Sequence, residues 1–267
     1  MYPYDLFLDV DLYTVFLCVG ILGAIFVFRI FSDRAKMFWK LQNFTLVTAV
    51  VSIVLGYFSA VFFQALYDIE RRGGFVIDTS TGATFYGGLI GGAACFLLIY
   101  FGIGGLLFKE KQNVKSFFTI ADIAAASIAV AHAFGRIGCL MAGCCHGKIT
   151  DAWYAVYMPA IGAKAVPLQL YEALFLFALF AFFVWRLLTK RSCNLPLYMV
   201  LYGVWRFVIE YFRTDDRGST VVDFLSPSQF IAVLMVLGSV ALFFGQRYLM
   251  KKVEQRANEA LKESADE

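Results

Sequence analysis

The chain has 267 residues, 60% of them hydrophobic and only 16% charged, with a mean hydropathy of +0.71. Soluble domains carry about 45–50% apolar and about 25% charged residues, so this composition excludes a soluble enzyme, a disordered chain and a disulfide-stapled secreted module. The net charge of +3 is too small to point to a polyanionic partner, and no nucleic acid is expected to bind.

The opening segment, MYPYDLFLDVDLY, has no Lys or Arg and lacks the basic start of a cleavable signal peptide. A helix needs about 20 mostly apolar residues to cross about 30 Å of hydrocarbon. Seven stretches qualify: about 11–31, 42–66, 82–107, 119–142, 167–189, 195–213 and 226–249. Backbone groups in lipid must bond within their own segment, which makes these spans helical. The expected fold is an all-α integral membrane protein with about seven transmembrane helices and a small outside-facing loop region near 143–166. Residues 1–250 read as one domain and 251–267 as a polar cytoplasmic tail. Loops one, three and five and the tail hold 15 Lys and Arg, against five (Arg71, Arg72, Lys148, Lys164, Arg217) in the opposite loops. That bias places the N-terminus outside and the C-terminus in the cytoplasm.

The third span opens GATFYGGLIGGAACF. Its Gly87, Gly88, Gly91 and Gly92 suit either close helix packing or a flexible turn beside a bound headgroup. Tyr86, just ahead, can donate to a phosphate or a leaving oxygen. The fourth span ends AHAFGRIGCLMAGCCHG. Arg136 sits among small residues, with His132 one turn earlier as an interior hydrogen-bonding residue. The fifth span opens with Gln169 and Glu172 on one face, and Tyr171 points elsewhere as an interfacial anchor. In the sixth span Tyr202, Arg206, Glu210 and Arg213 recur at helical spacing on one face.

Charges inside a membrane are costly and usually functional. Arg136, Arg206 and Arg213 against Glu172 and Glu210 leave one positive charge over. An anionic lipid phosphate would complete it, and the forked donors of Arg suit a phosphate.

Cys139, Cys144, Cys145 and His146 form C-x4-C-C-H at the outer end of the fourth span. A thiol near a His and an Arg can ionise for nucleophilic or acid–base work. A Cys139–Cys144 disulfide is a second reading, on an oxidising face. A metal is not expected: adjacent Cys144 and Cys145 chelate one ion poorly, and the usual C-x2-C spacing is absent. No cofactor is implied.

Several motifs together resemble bacterial prolipoprotein diacylglyceryl transferase. They are YGGLIGG at 86–92, GRIGCLMAGCCHG at 135–147, PLQLYEALF at 167–175, YGVWRFVIEYFR at 202–213 and LSPSQ at 225–229. The resemblance covers about residues 13–250. It implies a multi-pass protein of the bacterial cytoplasmic (inner) membrane. The family moves the diacylglyceryl group of phosphatidylglycerol onto the lipobox cysteine thiol of a prolipoprotein, releasing glycerol phosphate and forming a thioether. By this resemblance Arg136 and Gly147 match the signature's arginine and closing glycine, and Arg206 and Glu210 match the sixth-span pair. Tyr13 looks like the first-span tyrosine.

The chain also departs from the family pattern. The family's H-G-G-L-I-G-G begins here with Tyr86, and its G-R-x-G-N-F-x-N-G-E-x-x-G carries Cys139, Ala142 and Cys144 at the two Asn and the Glu. The lipid-binding half is kept, and the half that activates the acceptor is altered. Arg136 and Arg206 are expected to hold the phosphate, with Glu210 orienting Arg206. His146, or a thiolate of Cys144 or Cys145, takes the place of the missing base. Tyr13, Tyr86, Gly87, Gly88, Gly147, Gln169, Glu172, Tyr202 and Arg213 are expected to line the substrate site. The competing expectations are a divergent paralog using its cysteines for acyl transfer or thiol redox chemistry, and a non-catalytic lipid-binding membrane protein.

Overall fold

Asp11 accepts the Thr14 backbone N–H on Oδ1 at 2.8 Å and so starts α1, Leu12–Arg34. A short hairpin, β1 (Asp5–Phe7) against β2 (Val10–Asp11), precedes it. The computed structural model describes residues 2, 4–7, 10–69, 74–77, 84–213 and 225–266, without the side chains of 5–7, 85–86 and 253–266. Arg71, Arg72 and Arg217 of the charge count lie outside the described residues. After α1 come α2 (Trp39–Tyr67), α3 (Phe85–Leu98), a π-helical turn (Ile99–Ile103), α4 (Gly104–Leu107) and α5 (Gln112–Ala142). A hairpin of β3 (Val156–Met158) and β4 (Ala163–Ala165) leads into α6 (Leu168–Leu188), α7 (Asn194–Ile209) and α8 (Pro227–Asp266).

Six helices are long and apolar enough to cross a membrane: Leu12–Arg34, Trp39–Tyr67, Gly87–Leu107, Lys109–Ala142, Leu168–Leu188 and Pro227–Lys252. Their outer faces carry apolar side chains such as Leu106, 89% exposed, as lipid contact requires. The protein is an all-α integral membrane protein. The seventh expected span, 195–213, falls short among the described residues. α7 has 16 residues, about 24 Å of helix at 1.5 Å per residue, and then tightens into a 3-10 turn at Glu210–Phe212. Its end carries Arg206 and Glu210, which seek polar partners rather than hydrocarbon. α8 runs past the expected end at 249 because Lys, Glu, Ala and Gln in the tail are good helix formers.

The chain forms two compact units, Ser32–Phe117 and the combination of Met1–Phe31 with Phe118–Glu267. In the first, α2 and α3 meet through glycines. A Cβ on Gly56 would stand 2.9 Å from Gly88 O, and one on Gly87 would stand 2.6 Å from Phe63 Cβ. Ser59 Oγ donates to Gly87 O at 2.9 Å. Of the two readings of Gly87 and Gly88, the structure shows the close helix contact, on a regular helix.

In the second unit the first part of α1 packs on α5. A Cβ on Gly20 would lie 2.9 Å from Ala131 O, and one on Gly138 would lie 3.1 Å from the Tyr13 ring. α7 packs on α8 at Gly203, where a Cβ would lie 3.0 Å from Val236. Trp205 of α7 stacks on Phe175 of α6 with centroids 4.2 Å apart. Buried Asp122 ties α5, α7 and α8 together. It accepts the Asn194 backbone N–H at 2.7 Å and Gln246 Nε2 at 3.2 Å. The sequence signal of this carboxylate is its position inside an apolar stretch.

Candidate functional site

Arg136 projects from the last two turns of α5, and its Nε lies 3.0 Å from Glu172 Oε2. Glu172 stands in the first turns of α6 and is 1% exposed. Such a buried carboxylate is tolerable only when paired and hydrogen-bonded. Its second oxygen accepts Tyr202 O–H at 2.8 Å. Tyr202 O lies 3.4 Å from His132 Nε2, and His132 Nδ1 lies 3.2 Å from Tyr198 O. His132 is therefore the interior hydrogen-bonding residue expected of it. Three helices contribute to this chain of contacts, so the guanidinium is held in place by α6 and α7.

A second polar group forms where α7 ends. Arg206 Nη2 lies 2.9 Å from Glu210 Oε2 and donates to Ser228 Oγ at 2.8 Å. Arg213 Nε lies 4.0 Å from the same carboxylate oxygen. Ser226 Oγ donates to Glu210 Oε1 at 3.0 Å and also accepts the Gln229 N–H, starting α8. Ser226 and Ser228 were not foreseen as site residues, although they lie within the LSPSQ motif. Arg206 is 7% exposed, and among the described residues its Nη1 has no hydrogen-bond partner. A buried, unsatisfied guanidinium donor costs stability unless something else accepts it.

Past Ala142 the chain turns back on itself. Gly143 and Cys145 take left-handed φ values of 75° and 63°. The N–H groups of Gly143 and Cys144 donate to Leu140 O and Cys139 O, each at 3.2 Å. The sulfurs of Cys139, Cys144 and Cys145 consequently lie within 4.8 Å of one another. Hydrogen bonds from the Cys139 and Cys144 thiols, reinforced by Arg213, hold the Cys145 thiol well below the usual thiol range. The same sharing, with burial, pushes the Cys144 thiol well above it. Gln169 donates through Nε2 to the Cys144 carbonyl. His146 donates through Nδ1 to Gly147 O at 2.8 Å.

Gly147 joins this loop to the end of α7. Its backbone bridges to Arg213, and a Cβ on it would lie 3.0 Å from Phe212 O. Its N–H donates to Val166 O at 2.9 Å, beside the hairpin of β3 and β4. A cavity of about 690 Å³ opens alongside, lined by Lys148, Leu168, Tyr171, Trp205, Tyr211 and Phe212 among others. Tyr171, expected as an interfacial anchor, is part of that lining.

The larger unit thus gathers Tyr13, Arg136, Cys139, Cys144, Cys145, His146, Gly147, Gln169, Glu172, Tyr202, Arg206, Glu210 and Arg213. Tyr13 stands within electrostatic reach of Arg136 and of all three cysteines. Tyr86, Gly87 and Gly88 belong to the other unit, and the Tyr86 side chain lies outside the described residues. Asp122 does not cancel the positive surplus, since it lies 14 residues before Arg136 on α5, about 21 Å along the helix, and has Arg186 as its own cationic neighbour.

The prolipoprotein diacylglyceryl transferase family model matches residues 4–245. The chain is similar to phosphatidylglycerol–prolipoprotein diacylglyceryl transferase 2 of Clostridium perfringens (strain 13 / Type A), 33% identical over 76% of this chain and 78% of that one. It is 30% identical to a phosphatidylglycerol–prolipoprotein diacylglyceryl transferase of Clostridium tetani (strain Massachusetts / E88), over 88% of this chain and 93% of the other. A third such transferase, of Desulfotalea psychrophila (strain LSv54 / DSM 12343), is 28% identical over 83% and 81%.

Proposed function

This chain belongs to the prolipoprotein diacylglyceryl transferase family, and from that premise we propose how its own residues divide the work. It is a multi-pass enzyme of the bacterial cytoplasmic membrane that transfers the diacylglyceryl group of phosphatidylglycerol to a prolipoprotein. With α7 crossing as a short seventh span, its N-terminus faces outside and its C-terminus the cytoplasm, a reading supported by the basic-residue bias. Residues 1–250 act as one transferase domain, followed by the polar tail 251–267. The family match over 4–245 supports this division.

Arg206 and Arg136 bind the phosphate of the lipid donor. The single observation that carries this assignment is the buried Arg206 Nη1 without a hydrogen-bond partner among the described residues, on a guanidinium already oriented by Glu210 and Ser228. Glu172 and Tyr202 orient Arg136 in the same way. During transfer the acceptor sulfur attacks the glycerol carbon. The carbon–oxygen bond to phosphate breaks, and charge grows on the departing glycerol phosphate. Fixed guanidinium donors in a dry site stabilise that charge without reorganising. The loop 139–146 activates the acceptor thiol, and the apolar cavity beside Trp205 and Phe212 receives the acceptor's lipobox segment.

A reconstituted transfer assay tests this reading. The protein is mixed with phosphatidylglycerol carrying a labelled diacylglyceryl group and with a lipobox peptide, and products are identified by mass spectrometry. A thioether-linked peptide from wild type but not from Arg206→Ala is the expected result. Full transfer by Arg206→Ala would remove the phosphate-clamp assignment. The absence of any lipid turnover in wild type would favour a lipid-binding role.

A further inference from the structure

We propose that Cys139, Cys144 and Cys145 form a trithiolate site for a soft d10 cation, with zinc as the defining probe, and that its fourth position takes the acceptor's cysteine thiol. The metal site stands on the geometry of the loop alone; the role of its fourth position rests on the transfer reading above.

From the sequence, adjacent Cys144 and Cys145 looked unable to share one ion. The fold removes that objection. The left-handed turns at Gly143 and Cys145 fold the loop back over the end of α5, and the three sulfurs gather within 4.8 Å of one another. Ligand atoms about 2.3 Å from a tetrahedral zinc stand about 3.8 Å apart, so small side-chain rotations complete the triangle. A disulfide would consume two of the three sulfurs and strand the third. All three are instead free thiols with their sulfurs within reach of one another, as one ion bound to all of them needs.

The surroundings suit an anionic centre. Three thiolates around a divalent cation leave one net negative charge, and a fourth thiolate makes two. Arg136 stands beside Cys139, and Arg213 hydrogen-bonds Cys145, so two guanidinium groups face the loaded site. The Cys144 backbone is pinned on both sides, its N–H by Cys139 O and its carbonyl by Gln169. Such supporting contacts orient metal ligands.

Three protein ligands with an open fourth position are the pattern of a catalytic rather than a structural zinc site. The acceptor thiol would bind the open position and release its proton to water. The metal-bound sulfur would then attack the glycerol carbon, forming the carbon–sulfur bond as the carbon–oxygen bond breaks. The electron pair leaves on glycerol phosphate, beside Arg136 and Arg206. The product thioether is a weaker ligand than a thiolate and leaves the metal. No oxidant or reductant takes part. This supplies acceptor activation from the chain's own cysteines.

The test uses the full-length protein, purified in detergent, reduced and desalted. Zinc is counted by mass spectrometry, and Co2+ replaces it as a spectroscopic probe. One zinc per chain and the thiolate-to-cobalt absorption of a tetrahedral site are expected. Cys139→Ser, Cys144→Ser and Cys145→Ser should each lose stoichiometric metal, whereas Cys18→Ser and Cys95→Ser should keep it. A lipobox peptide should shift the cobalt spectrum, and the same peptide with its cysteine replaced by alanine should not. No bound metal in the reduced wild type, or a disulfide joining two of the three cysteines before reduction, would overturn the site. A cobalt spectrum unmoved by the cysteine peptide would overturn its fourth-ligand role. Full transfer by metal-stripped protein would overturn the activation step and leave the transferase reading standing. A loaded site with no transfer from any lipid would do the reverse.

Discussion

Glu172 Oε2 meets Arg136 Nε at 3.0 Å, joining the start of α6 to the end of α5 inside the apolar body of the protein. The pair is completed by Tyr202, whose hydroxyl gives the carboxylate its second contact. Removing one partner of a buried pair leaves an uncompensated charge and costs about 3–5 kcal/mol. Glu172→Ala should therefore lower the melting temperature sharply and abolish transfer. Tyr202→Phe, which deletes one charge-assisted hydrogen bond, should cost about 1.5–3 kcal/mol. Thermal unfolding in detergent checks both, and equal stability of Glu172→Ala and wild type would refute the account.

Arg206→Lys is a sharper test of the phosphate clamp than Arg206→Ala. Lysine keeps the charge, so Glu210 stays paired, but it loses the fork that holds Glu210, Ser228 and a phosphate oxygen at once. Loss of one preorganised donor to a developing anion typically costs about 100- to 1,000-fold in turnover. Arg206→Lys is expected to fall in that range with near-native stability. Retention of more than half the wild-type rate would show that charge alone is enough.

Gly147 should not tolerate a side chain. A Cβ there would stand 3.0 Å from Phe212 O and 2.9 Å from Leu168 Cγ, so Gly147→Val must push the 139–147 loop away from the end of α7. Arg213 is bridged to Gly147 through the backbone and bonded to Cys145 through its side chain. The variant should lose transfer while its helices still assemble. Measured by transfer and by circular dichroism, an active Gly147→Val would show that this junction does not matter.

The two adjacent cysteines should titrate apart in the metal-free protein. Cys145 is held low by hydrogen bonds from Cys139 and Cys144 and by Arg213, so its thiolate persists as pH falls. Cys144 is pushed up by the same sharing and stays a thiol as pH rises. An ordinary thiol, with a pKa of about 8.5, loses about tenfold in alkylation rate per pH unit below that value. Between about pH 8 and about pH 6, Cys145 labelling should stay nearly flat, while Cys144 should label slowly throughout. Fragment-ion mapping of the iodoacetamide adducts separates the two. Parallel labelling of both would contradict the shared-proton arrangement.

The membrane class, six of the spans and the surplus of intramembrane arginines over glutamates were legible in the sequence. Length, hydropathy and helical spacing are local properties, and a charge among apolar residues marks itself. The i, i+4 relation of Arg206 and Glu210 could be read on one helix. The partnership of Arg136 with Glu172 could not, because 36 residues separate them and only the packing of α5 on α6 brings them together. Tertiary structure also shortened the sixth helix to 16 residues, packed Gly87 and Gly88 against α2, and recruited Ser226 and Ser228 to the arginine site. It also gathered Cys139, Cys144 and Cys145 into one triangle. The neighbouring cysteines looked badly spaced for a shared ion because sequence spacing carries no φ angle. Two left-handed residues reverse the chain there, and that reversal is visible only once the loop is held between α5, Gln169 and the end of α7.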